Sequence, residues 1–359
     1  MVGTIWRRLA AIAMATVLVG ACGSDGPPGS MPAGTTSDTA PSSAATLSVL
    51  CTVDEGWCDA QTTAFEAATA IPTTYVRRSA GDALALLRAA AGKAEFSVWW
   101  GGSSDGYEAA KTEGLLEAYR SPNAATVPTA YKDASGLWTG VYAGVLAFCS
   151  NSHSLAMAAV PEPTSWNALL AQPLAGKVSM AHPTTSGTAY TALWTIRTLN
   201  GNSDDTTFAY LAKLKNNVAA FTKGGTDPVV LVAKGTASVG VVFAHDCLSA
   251  INKGEKQLTV SFPKEGTGYE IGATALLHGA PNPGAARKWI DWVLTAKAQE
   301  IGATANAFQL PLNPDATVPS LSVKLNDVTR IDYDANAAGA RRKALTDRFE
   351  KDIAPAPTQ

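Results

Sequence analysis

Past residue 45, short apolar runs alternate with segments of helical period, and this alternation constrains the fold more than any other feature of the chain. "TLSVLCT", "TTYVRR" and "EFSVWWGG" read as strands, while "CDAQTTAFEAATA", "GDALALLRAAAG" and "DGYEAAKTEGLLEAY" read as helices. A strand that must return parallel to its neighbour needs a crossover of helical length, so the pattern predicts an α/β fold with parallel strands. The rhythm resumes in "GKVSMAHP", a helix from about Thr188 to Thr198, "DDTTFAYLAKLKNN", "VAAFT", "DPVVLVAKG" and "ASVGVVFAHD". Strands return in "QLTVSFP" and "IGATALLHGA". "GAARKWIDWVLTAKAQEIGA" then traces one apolar helical face, and "GARRKALTDRFEKDI" reads as a last amphipathic helix. No fixed-period repeat is present, which excludes a solenoid. Hydrophobic residues make up 46% of the chain. About 310 residues follow position 45, enough for two cores at roughly 100–200 residues each. Residues 46–144 plus 262–355 are expected to form lobe A, with lobe B (145–261) inserted between them.

Where a strand hands over to a helix, the turn carries the chemistry. In open α/β sheets ligands bind outside the carboxyl ends of strands, where helix N-termini present free amides. Three such turns share one composition. "RRSAGDAL" places Ser79 and Gly81 before a helix; "WWGGSSDGYEAA" places Gly102, Ser103 and Ser104; "HPTTSGTAYTAL" places Thr185, Ser186, Gly187 and Thr188. Any single turn of this kind is an ordinary N-cap. Three together fit a shared oxyanion cradle, with hydroxyl donors beside amides at the positive end of a helix dipole. Neither the second nor the third turn holds lysine or arginine, so neutral dipoles would carry the anion and release it readily.

Other motifs compete. "GSSDG" satisfies G-x-S-x-G with Ser104 at its centre, after a strand and before a helix, which gives the alternative of a secreted serine hydrolase. That reading needs a histidine from His153, His182, His245 or His278, and no HGGG-like oxyanion motif precedes the serine. "EGTGYEIG" imitates a dinucleotide fingerprint, but its last spacing is wrong and no helix begins there.

The N-terminus sets the compartment. Arg7 and Arg8 precede the apolar run Leu9 to Val19, too short for a mature membrane span, and residues 1–21 read as a secretory signal. "LVGAC" resembles the lipobox of bacterial lipoproteins, with Cys22 lipidated; cleavage near "VGA" without lipidation is the alternative. Residues 22–45 then form a flexible tether of Gly, Ser, Pro, Thr and Ala. The expected location is the cell envelope, with the chain lipid-anchored to the outer face of the cytoplasmic membrane. Of the five cysteines, setting Cys22 aside leaves an even number for an oxidising space. Cys51 and Cys58 are close enough for a local bridge, and Cys149 and Cys247 would pair across distance. Zinc fits poorly, because no C-x-x-C occurs and the histidines are scattered; no metal or other cofactor is expected. Removing Arg7 and Arg8 from 28 basic residues leaves 26 against 30 acidic, a formal −4, and nothing points to a nucleic-acid partner.

"PKEGTGYEIGATALL", "WTGVYAGVLAF", "VVFAHD" and "TSGTAY", in that combination and spacing, resemble the type II periplasmic substrate-binding proteins of ABC importers. The branch resembled holds ferric-iron, sugar-phosphate and aminoethylphosphonate receptors, and the likeness runs from about Leu47 to Ile353, including "CTVDEGWC". It implies two α/β lobes that close on ligand like a hinge, with "GVYAGVLAF" and the "LTVSFPKEGT" region as crossovers. It implies a monomeric receptor that binds a small anionic solute, docks on an ABC permease, touches the membrane only through its lipid and does no covalent chemistry. Carried over by motif, the phosphate side falls on Ser79, Ser104, Thr185, Ser186, Gly187 and Thr188. The hydroxyl-rich side falls on His245 and Asp246 with Glu265 or Glu270, since carboxylates accept two hydroxyl hydrogen bonds at once. Taken alone, Asp246 reads equally as a cap of "CLSAINKG". Trp100, Trp138 and Tyr142 line the cleft or belong to the core. A sugar phosphate is the first choice of ligand and a phosphonate the second. Ferric iron is the rival: this fold's iron receptors present neighbouring tyrosines, which this chain lacks, so His245, Glu265 and Tyr269 would have to serve a chelated ion. Two departures stand out: Ser97 replaces the acidic residue usual in relatives, and Cys149 and Cys247 are not family signatures.

Overall fold

The computed structural model describes residues 46–90 and 92–357. The signal segment, Cys22 and the tether lie outside them. The chain runs β1 (Leu47–Cys51), α1 (Glu55–Thr69), β2 (Thr73–Arg77), α2 (Ala80–Ala89), β3 (Val98–Ser103), α3 (Ser104–Thr112) and β4 (Leu116–Glu117). The long β5 (Thr139–Asn151) leads to α4 (Ser152–Met157), β6 (Val178–Ala181), α5 (Gly187–Leu199), α6 (Asp204–Lys215) and β7 (Val218–Thr222). Then come α7 (Asp227–Ala233), β8 (Val239–Phe243), α8 (Ala244–Asn252), β9 (Leu258–Ser261) and β10 (Tyr269–Leu277). Last are α9 (Pro283–Val293), α10 (Ala296–Thr304), β11 (Leu310–Pro311) and α11 (Ala335–Asp352).

The strands order as β2-β1-β3-β10-β5-β8-β6-β7. The expected parallel pairs are present, β1 with β2 and β3 in one half and β6 with β7 and β8 in the other. Along this order the antiparallel members are β5 and β10, which join the halves. β5 pairs with β10 through Thr139–Val145 and with β8 and β9 from Leu146 onward. Beside it, Leu146 N donates to Gly268 O at 3.0 Å and Thr267 Oγ1 donates to Leu146 O at 2.7 Å. The crossovers therefore fall in "GVYAGVLAF" and just after β9. A third strand of chain runs alongside them: Thr267 N donates to Thr329 O (3.0 Å) and Ile331 N to Thr267 O (2.9 Å).

Each half packs its own core. In the first, Trp57, Trp100 and Trp289 meet edge to face, with centroids 5.2 and 5.7 Å apart, on one side of the sheet, and Trp99 stacks on Tyr107 at 4.0 Å on the other. In the second, Phe148, Trp166, Met180, Leu193, Phe208 and Val241 cluster, and the C-terminal residues Tyr333, Leu345, Phe349 and Ile353 join them. The end of the chain also packs on the first half, with α11 lying along α3. The single helix expected over "GAARKWIDWVLTAKAQEIGA" is two: α9 stops at Val293, and Thr295 starts α10 by accepting Ala298 N on its hydroxyl (3.3 Å). The apolar period continues through the break, which is why it read as continuous. Both expected disulfides are formed, Cys51–Cys58 and Cys149–Cys247. Among the described residues no helix is long and apolar enough to cross a membrane.

Candidate functional site

The carboxyl ends of β1, β2, β3, β6, β7 and β8 converge on one cavity between the halves, of about 500 Å³ including its mouth. Such convergence is what the strand–turn–helix repeats dictate, because each turn delivers a helix N-terminus to the same edge. From the first half come Thr52 and Asp54, Arg77 and Ser79, and Gly102 and Ser103; from the second come Ser186 to Thr188, Gly225 and Thr226, and His245 and Asp246. Glu270, near the start of β10, lies at the seam beside Tyr142.

One side of the cavity is rich in hydroxyls and amides. Ser79 and Ser103 occupy the N-cap positions of α2 and α3, yet neither side chain caps its helix. Both hydroxyls are buried without a hydrogen-bond partner in the chain, which is costly unless the site binds something that supplies one. Ser186 caps α5, accepting Ala189 N at 3.3 Å. Gly102 has φ 78°, a left-handed conformation in which glycine is unstrained, and its N–H donates to Tyr142 Oη at 3.0 Å. The halves touch here: Gly81 N donates to Thr185 O at 2.9 Å, and Lys223 reaches Asp82 at 3.5 Å.

The other side is acidic and almost sealed. Burial pushes the Asp54 carboxyl up, with Arg77 pulling against it. Burial also raises Asp246 well above the carboxylate range, helped by the charges of Asp54 and Glu270. Glu270 is pushed up to about 8 by burial and then by Asp105 and Asp54. His245 is driven down to about 3 by burial, so its ring is neutral and its 3.4 Å approach to Asp246 is a polar contact rather than an ion pair. The crowding depends on Gly144 of β5: a Cβ there would sit 2.7 Å from the His245 ring and 3.1 Å from Glu270 Oε1. Glu270 yields a prediction. Its folded pKa lies above its unfolded value, so its contribution to stability is complete below about pH 4.5 and is lost as pH rises through about 8. Urea midpoints of wild type and Glu270→Gln are expected to converge on acidification and to diverge as pH rises from about 4.5 to about 8, with the variant the more stable by a constant margin above that; parallel curves across this window would contradict the assignment.

Of the residues singled out in the sequence, the structure brings Ser79, Gly102, Ser103, Tyr142, Ser186, Gly187, Thr188, His245, Asp246 and Glu270 to the cavity. Five are placed elsewhere. Ser104, one helical step beyond Ser103, turns into a separate cavity with Trp138, whose indole donates to Glu108 at 2.9 Å. Glu265 accepts Trp166 N at 2.7 Å and lines a different cavity. Thr185 turns its hydroxyl inward, donating to Lys223 O at 2.8 Å. Trp100 is core. No histidine lines the cavity reached by Ser104, so none of His153, His182, His245 and His278 meets the G-x-S-x-G serine there. Tyr269 lines that same second cavity, so His245, Glu265 and Tyr269 form no common iron shell. The sequence reading missed Thr52, Asp54, Arg77, Gly225 and Thr226. Their signal was positional: "CTVDEGW" and "FTKGGTDP" are also strand-to-helix turns, and Arg77 opens the "RRSAGDAL" turn already singled out for Ser79.

Comparison with known proteins agrees with this geometry. The family described as "Bacterial extracellular solute-binding protein" matches residues 102–335. An uncharacterized protein of Haemophilus influenzae is 32% identical over 316 residues, covering 86% of this chain and 90% of its own. Among solved structures, the periplasmic binding protein AfuA of Actinobacillus pleuropneumoniae, determined with fructose 6-phosphate bound, matches at 32% identity and TM-score 0.83, over 86% of this chain and 98% of its own. The periplasmic binding protein P5PA matches at 28% identity and TM-score 0.82, over 86% and 99%. The ferric binding protein of Campylobacter jejuni, at 17% identity, TM-score 0.72 and coverage of 85% and 98%, shares the fold. The chain belongs to the bacterial extracellular solute-binding proteins, as a two-lobed type II periplasmic binding protein of the branch that holds sugar-phosphate and ferric receptors.

Proposed function

We propose that this receptor captures a sugar phosphate in the cleft and delivers it to its ABC permease. The phosphate lies against the N-termini of α2, α3 and α5, and the sugar hydroxyls lie against Asp54, Asp246 and Glu270. The observation that carries the reading is the pair of buried, unpartnered hydroxyls, Ser79 and Ser103, at helix N-termini facing a cluster of carboxyls. An oxyanion satisfies the first side and a polyol the second. The bound sugar phosphate of AfuA supports the choice, at 32% identity over 86% of this chain. Only the closed form contacts the solute from both lobes, so the solute selects it. The lobes divide near 145 and 262, and the receptor works as a monomer tethered through a lipidated Cys22. A phosphonate carrying an ammonium group is the second reading, favoured because three carboxyls line that side of the cavity beside Arg77.

Thermal shift of the purified protein tests the choice. Fructose 6-phosphate at a hundred times its Kd is expected to stabilise the folded state by about 2.7 kcal/mol. Fructose should give no shift, and aminoethylphosphonate a smaller one. A shift with ferric chelates alone would overturn the sugar-phosphate assignment.

A further inference from the structure

The C-terminal helix connects the two sides of the cleft without lining it. Its apolar residues Leu345 and Phe349 are embedded in the second lobe's core, and Tyr190 of α5 donates its hydroxyl to Ala338 O at 2.6 Å. On its opposite side, α11 lies directly on α3 of the first lobe. Gly339 makes that approach possible: a Cβ there would meet Glu108 Cβ at 2.7 Å and Asp105 O at 2.8 Å. Next to this contact, Arg342 forms a fully buried ion pair with Asp105, which also accepts the Tyr333 hydroxyl at 3.1 Å. The same guanidinium sits 4.3 Å from the centroid of the Tyr190 ring. Toward its end the helix holds the "HPTTSG" turn: Thr184 donates to Glu350 at 2.7 Å, and His182 Nε2 lies 3.0 Å from Ala354 O.

We infer that Arg342 and Gly339 are affinity-determining positioning residues: they fix the spacing between α3 and α5, whose N-termini grip the solute from opposite lobes, and so stabilise the closed cleft. Asp105 is two residues from Ser103, and Tyr190 is two residues from Thr188. A single side chain thus ties together the first turns of both gripping helices. α11 packs along α3 of the first lobe as well as into the second lobe's core through Leu345 and Phe349, so it bridges the lobes, and opening must break one of the two contacts, of which the α3 contact carries the buried ion pair. Removing that contact shifts the population toward the open form, and apparent affinity falls in proportion to the closed fraction. The inference rests on the cleft proposed above as the binding site, but not on which solute fills it.

The test uses the full chain, with fructose 6-phosphate as probe. Gly339→Ala adds one methyl at the helix contact and leaves every charge in place, whereas Arg342→Gln removes the tie itself and exposes Asp105 to the cost of an unpaired charge. Both are expected to weaken probe binding by about tenfold through faster dissociation. Small-angle scattering of the solute-free variants should give a larger radius of gyration than wild type. Because scattering needs no solute, it reads the inference even if fructose 6-phosphate proves the wrong probe. Should Arg342→Gln fail to fold, Gly339→Ala alone decides. Unchanged affinity and unchanged scattering in Gly339→Ala, with only a lowered melting temperature, would reduce the contact to ordinary packing and overturn the inference.

Discussion

Asp246→Asn is expected to raise the melting temperature of the solute-free protein while it weakens fructose 6-phosphate binding. The stabilising half follows from the cluster itself. Asp246 is buried beside Asp54 and Glu270, and its carboxyl is held well above the ordinary range because ionising a third acid there is unfavourable. A neutral amide of the same shape removes that repulsion. It gives up the favourable interaction of a carboxylate with the first turn of α8, about 0.3–1 kcal/mol. The net gain should appear as a rise of roughly 2–4 °C, the shift about 1 kcal/mol produces in a domain of some 150–250 residues. The binding half follows from hydrogen-bond chemistry. A carboxylate accepts from two sugar hydroxyls, whereas the amide keeps one acceptor and turns a donor on the other hydroxyl. Losing a charge-assisted hydrogen bond of about 1.5–3 kcal/mol corresponds to roughly 10–100-fold in Kd. Scanning fluorimetry and calorimetric titration read the two effects separately. A lower melting temperature with unchanged affinity would make Asp246 a helix cap and nothing more.

Replacing Cys149 and Cys247 together by alanine should cost the larger share of stability. The bond closes a loop with a sequence separation of 98, whereas Cys51–Cys58 spans 7. Loop-closure entropy in the unfolded chain predicts about 4–5 kcal/mol for the long loop and about 2 kcal/mol for the short one. Placement strengthens the contrast: Cys149 lies on β5 and Cys247 on α8, so the long bridge ties the crossover strand to the helix that carries His245 and Asp246. Urea unfolding of the two double variants should rank them in this order. Equal losses would show that the unfolded chain does not behave as an open loop.

Much of the architecture was legible because β-α alternation leaves a plain periodic trace, and the turns that follow strands were identifiable from small hydroxyl residues. What the sequence did not resolve turns on single steps of geometry. Ser103 and Ser104 are equivalent in composition, but Ser103 ends β3 facing the cleft and Ser104 has already rotated away with α3. Glu265 and Glu270 were equal candidates until the lead-in to β10 placed one on Trp166 and the other at the seam. Asp54 and Arg77 escaped notice because nothing local marks a charged residue in a turn as facing a ligand rather than solvent. The third crossing by the C-terminal segment was hidden for a different reason: α11 carries charge on most of its surface, and its role emerges only from a glycine and an arginine that face a helix more than 200 residues away in the chain.

The most direct test of the two-sided cleft is the crystal structure of the protein with fructose 6-phosphate. The account predicts the phosphate within hydrogen-bond distance of the Ser79 and Ser103 hydroxyls and the amides that open α5, with the sugar hydroxyls on Asp54, Asp246 and Glu270. A phosphate turned toward the carboxyls, or a ligand seated outside this cavity, would contradict it.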